Sequence, residues 1–280
     1  MKSERFTKTI ILISFIVVIQ TGFVFGAFES YPTSTTNLAF GRINLNSKGN
    51  FVDIINEPSS IINFNLKGGE VTWSRPFQIN ELQQTTFSIG LMHKNWGLGI
   101  SASSFGNSIY NESMLVLGVA KSFKRRLSFG ANIILYQLKI SDYGTAHTPG
   151  LSASMRYNID DKWDWVTTVR NINYPNIGSS KEELPQAIST GFIGIMHEVI
   201  TIAAEWEQDL AYSGAIKFGI RVKPLKQISF SVGYVSNPGQ LTAGLSININ
   251  KVYFEYGTVA YSDLGLFTHQ LGIGVNLNRH

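Results

Sequence analysis

Four charged side chains sit at spacings suited to chemistry across a β-sheet. Glu205 and Glu207 lie two residues apart, and Lys217 and Arg221 lie four apart. Even spacing on a strand puts both members of a pair on one face. Neighbouring strands carrying them would set acids against bases in a confined interior. Such a network either braces the interior or forms a polar constriction on a permeation path, and bracing is the preferred reading. Catalytic patterns are missing. His93, His147, His197, His269 and His280 are scattered, with no close pair to hold a metal. The chain has no Gly-x-Ser-x-Gly elbow, no phosphate-binding glycine loop and no cysteine. The sequence therefore predicts no enzyme, no cofactor and no metal.

The elements that must position those charges are strands. From about Glu70 onward, runs of roughly ten residues alternate apolar with polar or small side chains, enough to cross a bilayer when tilted. Ile228, Phe230, Val232 and Tyr234 alternate with Gln227, Ser229, Ser231 and Gly233. Leu271, Ile273, Val275 and Leu277 alternate with Gln270, Gly272, Gly274 and Asn276. Each run has one apolar and one polar face. A soluble sandwich alternates too, but the connections decide. Short turns near 93–95, 124–126, 160–162, 197–198, 224–226 and 250–251 take turns with longer loops near 104–113, 141–148, 173–185, 209–213, 236–240 and 262–267. That order marks an outer-membrane barrel. The expected fold is all-β: a transmembrane antiparallel up-and-down β-barrel of about 14 strands (12–16) over residues 70–280, its short turns periplasmic. Trp96, Trp163 and Trp165 fall beside short turns, where an interfacial aromatic girdle belongs. With the apolar faces toward lipid, Glu205, Glu207, Lys217 and Arg221 face the lumen.

Composition agrees. Charged residues make up 15% of the chain, against about 25% in soluble domains. Lys2, Arg5 and Lys8 precede an apolar run that ends at Val24-Phe25-Gly26, the layout of a signal peptide over residues 1–26 cleaved before Ala27. Removing it lowers the formal net charge from +4 to +2. The one basic cluster, Lys121, Lys124, Arg125 and Arg126, reads as a solvated turn rather than a nucleic-acid site.

Residues 27–69 break the alternation and read as an N-terminal plug, or as one more hairpin, with a candidate turn at Asn56 and Pro58. Gln270, Gly272, Val275 and Leu277 fit the spacing of the C-terminal signal read by the barrel-assembly machinery, with aliphatic residues at its usual aromatic positions.

Several loose motifs together resemble the PorV/PorQ group, itself similar to the FadL-like barrels. They are Ala39-Phe40-Gly41, Asn56-Glu57-Pro58-Ser59, Asn80-Glu81-Leu82, Val169-Arg170-Asn171-Ile172, Glu182-Glu183-Leu184-Pro185 with Gly191, and Thr268-His269-Gln270-Leu271-Gly272. Glu57 stands between Asn56 and Pro58 where the group has the two adjacent. The resemblance implies a plugged outer-membrane barrel that passes small hydrophobic solutes, in the FadL manner. Its alternative is a component or partner of type IX protein secretion, as in PorV and PorQ. The expected partners are outer-membrane lipid, the barrel-assembly machinery, and a hydrophobic small molecule or exported proteins. A soluble periplasmic all-β binding protein is the remaining alternative.

Overall fold

The computed structural model describes residues 26–29, 31–45, 50–63, 67–123, 126–210, 212–262 and 264–277. The signal-peptide reading of residues 1–25 lies outside them, as do Lys124 and Arg125 of the basic turn.

Fourteen antiparallel strands close into one barrel in sequential order. They are β1 (Lys67–Arg75), β2 (Gln84–His93), β3 (Trp96–Gly106), β4 (Tyr110–Phe123), β5 (Leu127–Ile140), β6 (Gly144–Asn158), β7 (Trp163–Arg170), β10 (Ala187–His197), β11 (Ile200–Asp209), β12 (Ala215–Val222), β13 (Ile228–Val235), β14 (Gln240–Ile249), β15 (Val252–Tyr261) and β16 (Leu266–Asn276). The two-residue strands β8 (Asn176–Ile177) and β9 (Glu182–Glu183) form a small separate sheet in the loop between β7 and β10. Closure comes from β1 against β16, with Gly68 opposite Asn276 and Arg75 opposite His269. No ladder edge is left open, as hydrocarbon requires.

The alternation sets the two faces of the wall. Leu117, Ile133, Leu135, Phe192, Phe218, Phe230, Val232 and Leu271 are exposed on the outer face, a continuous apolar band that no water-soluble surface carries. Ser88, Ser101, Ser152, Ser154, Ser189, Ser231 and Thr242 are buried on the inner face. Trp96, Trp163 and Trp165 point outward beside the short turns, with the Lys121 ammonium 4.5 Å above the Trp96 ring. The wall therefore spans a membrane.

The loop alternation is less regular than the sequence suggests. Expected long loops near 104–113 and 141–148 shrink to connections at 107–109 and 141–143, shorter than 223–227 on the short-turn side. The ladder absorbs the extra residues, so β4, β5 and β6 run to 14, 14 and 15 residues. Asn107 makes the first tight turn possible, its side chain accepting from the N–H of Ile109 at 2.8 Å.

The described residues between 26 and 63 add no hairpin. They form the short helix α1 (Thr35–Ala39) and 3-10 turns at Phe51–Ile54 and Pro58–Asn63, all inside the barrel. Ser34 caps α1 by accepting from the N–H of Asn37 at 3.3 Å. The first barrel strand starts at Lys67, slightly ahead of the expected Glu70.

Phe218 lies mid-strand on β12, facing outward. Phe218→Arg should lower stability by about 2–4 kcal/mol, read by urea titration of the protein refolded into lipid vesicles. No loss would sink the lipid-facing assignment.

Candidate functional site

The interior segment approaches the wall closely at several of its glycines. A Cβ on Gly130 of β5 would lie 2.2 Å from the backbone nitrogen of Ser59, and one on Gly233 of β13 would lie 2.1 Å from that of Gly41. Only glycine permits those approaches. Gly41 itself takes φ +78°, and the Thr242 hydroxyl clamps the bend, accepting from the Gly41 N–H and donating to the Ala39 carbonyl, both at 2.9 Å.

Polar anchors hold the segment along its length. The carboxylate of Glu57 takes a two-pronged bond from Arg156 of β6, Nε–Oε1 at 2.9 Å and Nη2–Oε2 at 2.8 Å, with both side chains fully buried. Asp164 of β7 takes the third guanidinium nitrogen at 2.5 Å. Ser59 strengthens this anchor, donating through its hydroxyl to Glu57 at 3.0 Å and through its N–H to Ser154 at 2.7 Å. Asn132 of β5 donates to the carbonyls of Ile54 and Ile55 at 2.8 and 3.1 Å. Glu70 of β1 accepts from the Phe51 N–H at 3.1 Å and the Tyr253 hydroxyl at 3.3 Å.

The predicted charge network is present in part. Glu205 stands directly opposite Lys217, and Lys217 Nζ lies 2.9 Å from Glu205 and 3.0 Å from Glu207. What they grip is the segment: Asn44 donates its N–H to Glu205 at 2.8 Å and its amide to Glu207 at 2.9 Å, while Lys217 donates to the Arg42 carbonyl at 3.2 Å. Arg221 is not part of this cluster. The register sets it opposite Thr201, where it donates to Ser231 at 3.1 Å and lies over the Phe40 ring at 4.5 Å. At the candidate turn, Asn56 donates to the Pro32 carbonyl at 2.7 Å and Pro58 begins a 3-10 turn. The residue between them, Glu57, carries the anchor.

The closing strand also serves the interior. Gln270 donates to the Thr33 carbonyl at 2.8 Å and the Thr35 hydroxyl at 3.1 Å, and a Cβ on Gly272 would lie 2.7 Å from that hydroxyl. Val275 and Leu277 face outward. Inward apolar residues, hidden in unbroken apolar runs, complete the contact. Met114, Val116, Ile134, Tyr136 and Leu138 pack on Phe28, Phe51, Ile54, Ile55 and Ile61; Val166, Ile193 and Ala203 pack on Phe40, Ile43 and Leu45.

At the long-loop end, Phe28 stands edge-on to Tyr136 at 4.8 Å, and Ile177 and Leu184 of the loop cover the same cluster. The Tyr31 hydroxyl bonds that of Tyr136, and Arg170 lies over the Tyr31 ring at 4.2 Å. Burial pushes the Tyr31 phenol above its ordinary value, with the Arg170 charge opposing. The hydrogen bond from Tyr212 to Glu29 is the chief reason its phenol is pushed up to about 12.

No family model matches the chain, and no curated protein matches its sequence. Solved structures do match in shape. The Pseudomonas putida toluene transporter TodX superposes with a TM-score of 0.62 at 10% identity, over 87% of this chain and 97% of that one. The CymD monoaromatic hydrocarbon channel gives 0.64 at 10% identity, over 89% and 98%. A Pseudomonas aeruginosa FadL homologue gives 0.64 at 9% identity, over 88% and 98%. The chain shares the FadL-type barrel fold.

Of the anchors, Glu57–Arg156 is the most deeply buried. Glu57→Gln removes the charge while keeping the shape, and should weaken the hold on the segment by about 3–5 kcal/mol. Hydrogen exchange of residues 50–63 in detergent should rise accordingly. Unchanged exchange would mean that the pair is no anchor.

Proposed function

We propose that this protein passes small hydrophobic molecules, single-ring aromatic hydrocarbons among them, across a bacterial outer membrane. The interior segment is its plug. The observation that carries the proposal is the combination of a closed membrane-spanning wall and a bore filled by the chain's own N-terminal region. Fold-mates known as a toluene transporter and a monoaromatic hydrocarbon channel support the substrate class. So does the apolar cluster at the long-loop end, where the Phe28 ring stands edge-on to Tyr136 and shares one buried cluster with Met114, Leu138, Ile177 and Leu184. A solute with a similar ring would find the same apolar surroundings once residues 26–31 withdraw.

Outer-membrane lipid then surrounds the apolar band, and the barrel-assembly machinery acts on β16, whose Gln270 and Gly272 later hold the plug. The work is passage, with no chemical step and no cofactor. A PorV/PorQ-like role in type IX secretion is supported by loose motifs alone, whereas passage has in addition the shared channel fold and the filled bore.

The chain has no cysteine, so a disulfide can be introduced cleanly. Ser59 on the plug touches Ser154 on the wall. Cells whose lipopolysaccharide-bearing outer membrane carries the S59C/S154C variant should lose toluene uptake under oxidation and regain it on reduction. Uptake that persists with the bond formed would overturn the plug; wild-type uptake no greater than in cells lacking the protein would overturn passage.

A further inference from the structure

Three carboxylates gather at the long-loop end around the start of the interior segment. The N–H of Ala27 donates to Glu182 Oε1 at 2.6 Å, and the N–H of Phe28 donates to Glu112 of β4. Glu29 accepts from the Tyr212 hydroxyl at 2.5 Å, and its carboxylate and that of Glu182 both repel the charge on Glu112. The Tyr110 hydroxyl donates to Glu112 at 2.6 Å. Among the described residues, no lysine or arginine makes an ion pair with Glu29, Glu112 or Glu182. Ala27 and Phe28 are nonetheless 3% and 1% exposed. Glu112 is buried, Glu182 half-buried and Glu29 exposed, so like charges meet here with none of the described lysines or arginines paired to them.

The sequence supplies a cation independently. Its leader pattern places the processing bond between Gly26 and Ala27. Hydrolysis of that bond by a membrane-bound leader peptidase adds one water. The new carboxylate leaves with Gly26, and the new amine stays on Ala27, protonated at neutral pH. We propose that processing at Gly26–Ala27 creates a structural cation, the α-ammonium of Ala27, which Glu182 receives to fasten the plug to the β8–β9 hairpin. The nitrogen already sits within hydrogen-bond reach of Glu182, at 2.6 Å. Glu182 belongs to β9, whose partner β8 carries Ile177 onto the same apolar cluster as Phe28. One ion pair therefore ties the end of the plug to the loop that covers it. The latch does not depend on what, if anything, passes through the barrel.

The intact mass of the protein from an outer-membrane fraction should match a chain beginning at Ala27. An aldehyde reagent selective for N-terminal amines, such as 2-pyridinecarboxaldehyde, should label the folded wild type about tenfold more slowly than Glu182→Gln, because the amine reacts only when the latch opens. Hydrogen exchange over residues 176–183 should rise in the same variant. Glu183→Gln, at the exposed neighbouring position, should label like wild type. Heat-modifiable gel mobility would confirm that each variant is folded. A chain beginning elsewhere, or equal labelling of folded wild type and Glu182→Gln, overturns the proposal.

Discussion

Fourteen strands enclose a bore too wide for their own side chains to fill. About eight strands can be packed by inward side chains, whereas sixteen or more leave a water-filled channel. This barrel lies near the upper case, and its inner face is trimmed further by serine, threonine and glycine. Lipid fixes the strands, since every backbone group must be paired within the wall. The wall then leaves space that water or additional chain must occupy. The N-terminal segment occupies it, and much of the remaining architecture follows from that choice.

A plug built this way has two kinds of contact. Backbone-to-backbone approach at Gly130 and Gly233 sets position, because any side chain there would collide with the segment. Carboxylates facing the bore set register along the axis: Glu57 on Arg156, Glu205 and Glu207 around Asn44, Glu70 on Phe51. Each is specific to one level of the wall. Sliding the segment by even one residue would break the buried Glu57–Arg156 pair, at several kcal/mol, and take the plug's N–H donors away from Glu205 and Glu70. Apolar contacts from Phe40 or Ile54 add area but would tolerate a shift better.

Faces were readable in the sequence because side chains alternate along a strand, and so were the strand number and the inward direction of Glu205, Glu207, Lys217 and Arg221. Register was not. Alternation says which way Arg221 points, but only the ladder reveals that Thr201, not an acid, lies opposite it. The β4 and β5 interior was masked for another reason. Met114 to Ala120 is apolar at every position except Gly118, so one unbroken run hides an inner face that packs the plug and an outer face that meets lipid. The plug itself has no period to read, since a five-residue helix and two 3-10 turns leave no repeating pattern. Glu57 was visible as an interruption of the expected Asn-Pro turn. Its partner Arg156 was equally visible as a charge at an inward position after Ser152 and Ser154. What joins them is contact across 99 residues of chain, which no local pattern encodes.

The choice of anchors bears on how such a plug can leave. An apolar plug on an apolar wall would expose hydrocarbon surface on both sides when it moved, at about 25 cal/mol per Å². Here hydroxyls, glycines and charged groups, which water can serve equally well, share the wall with two apolar patches, Met114, Val116, Ile134, Tyr136 and Leu138, and Val166, Ile193 and Ala203. At the polar contacts displacement exchanges protein partners for hydration, whereas at the apolar patches it exposes hydrocarbon surface. Breaking one anchor is costly while its neighbours stay dry, but the cost falls once water reaches the next. One of those patches reaches the long-loop end, where Phe28, Tyr136 and Leu184 belong to one buried cluster. There a hydrophobic solute can replace what the plug takes away. An apolar contact that a solute can replace at the long-loop end therefore favours motion starting there, with the Glu57–Arg156 pair and the bonds of Asn44 to Glu205 and Glu207 yielding afterwards as water follows.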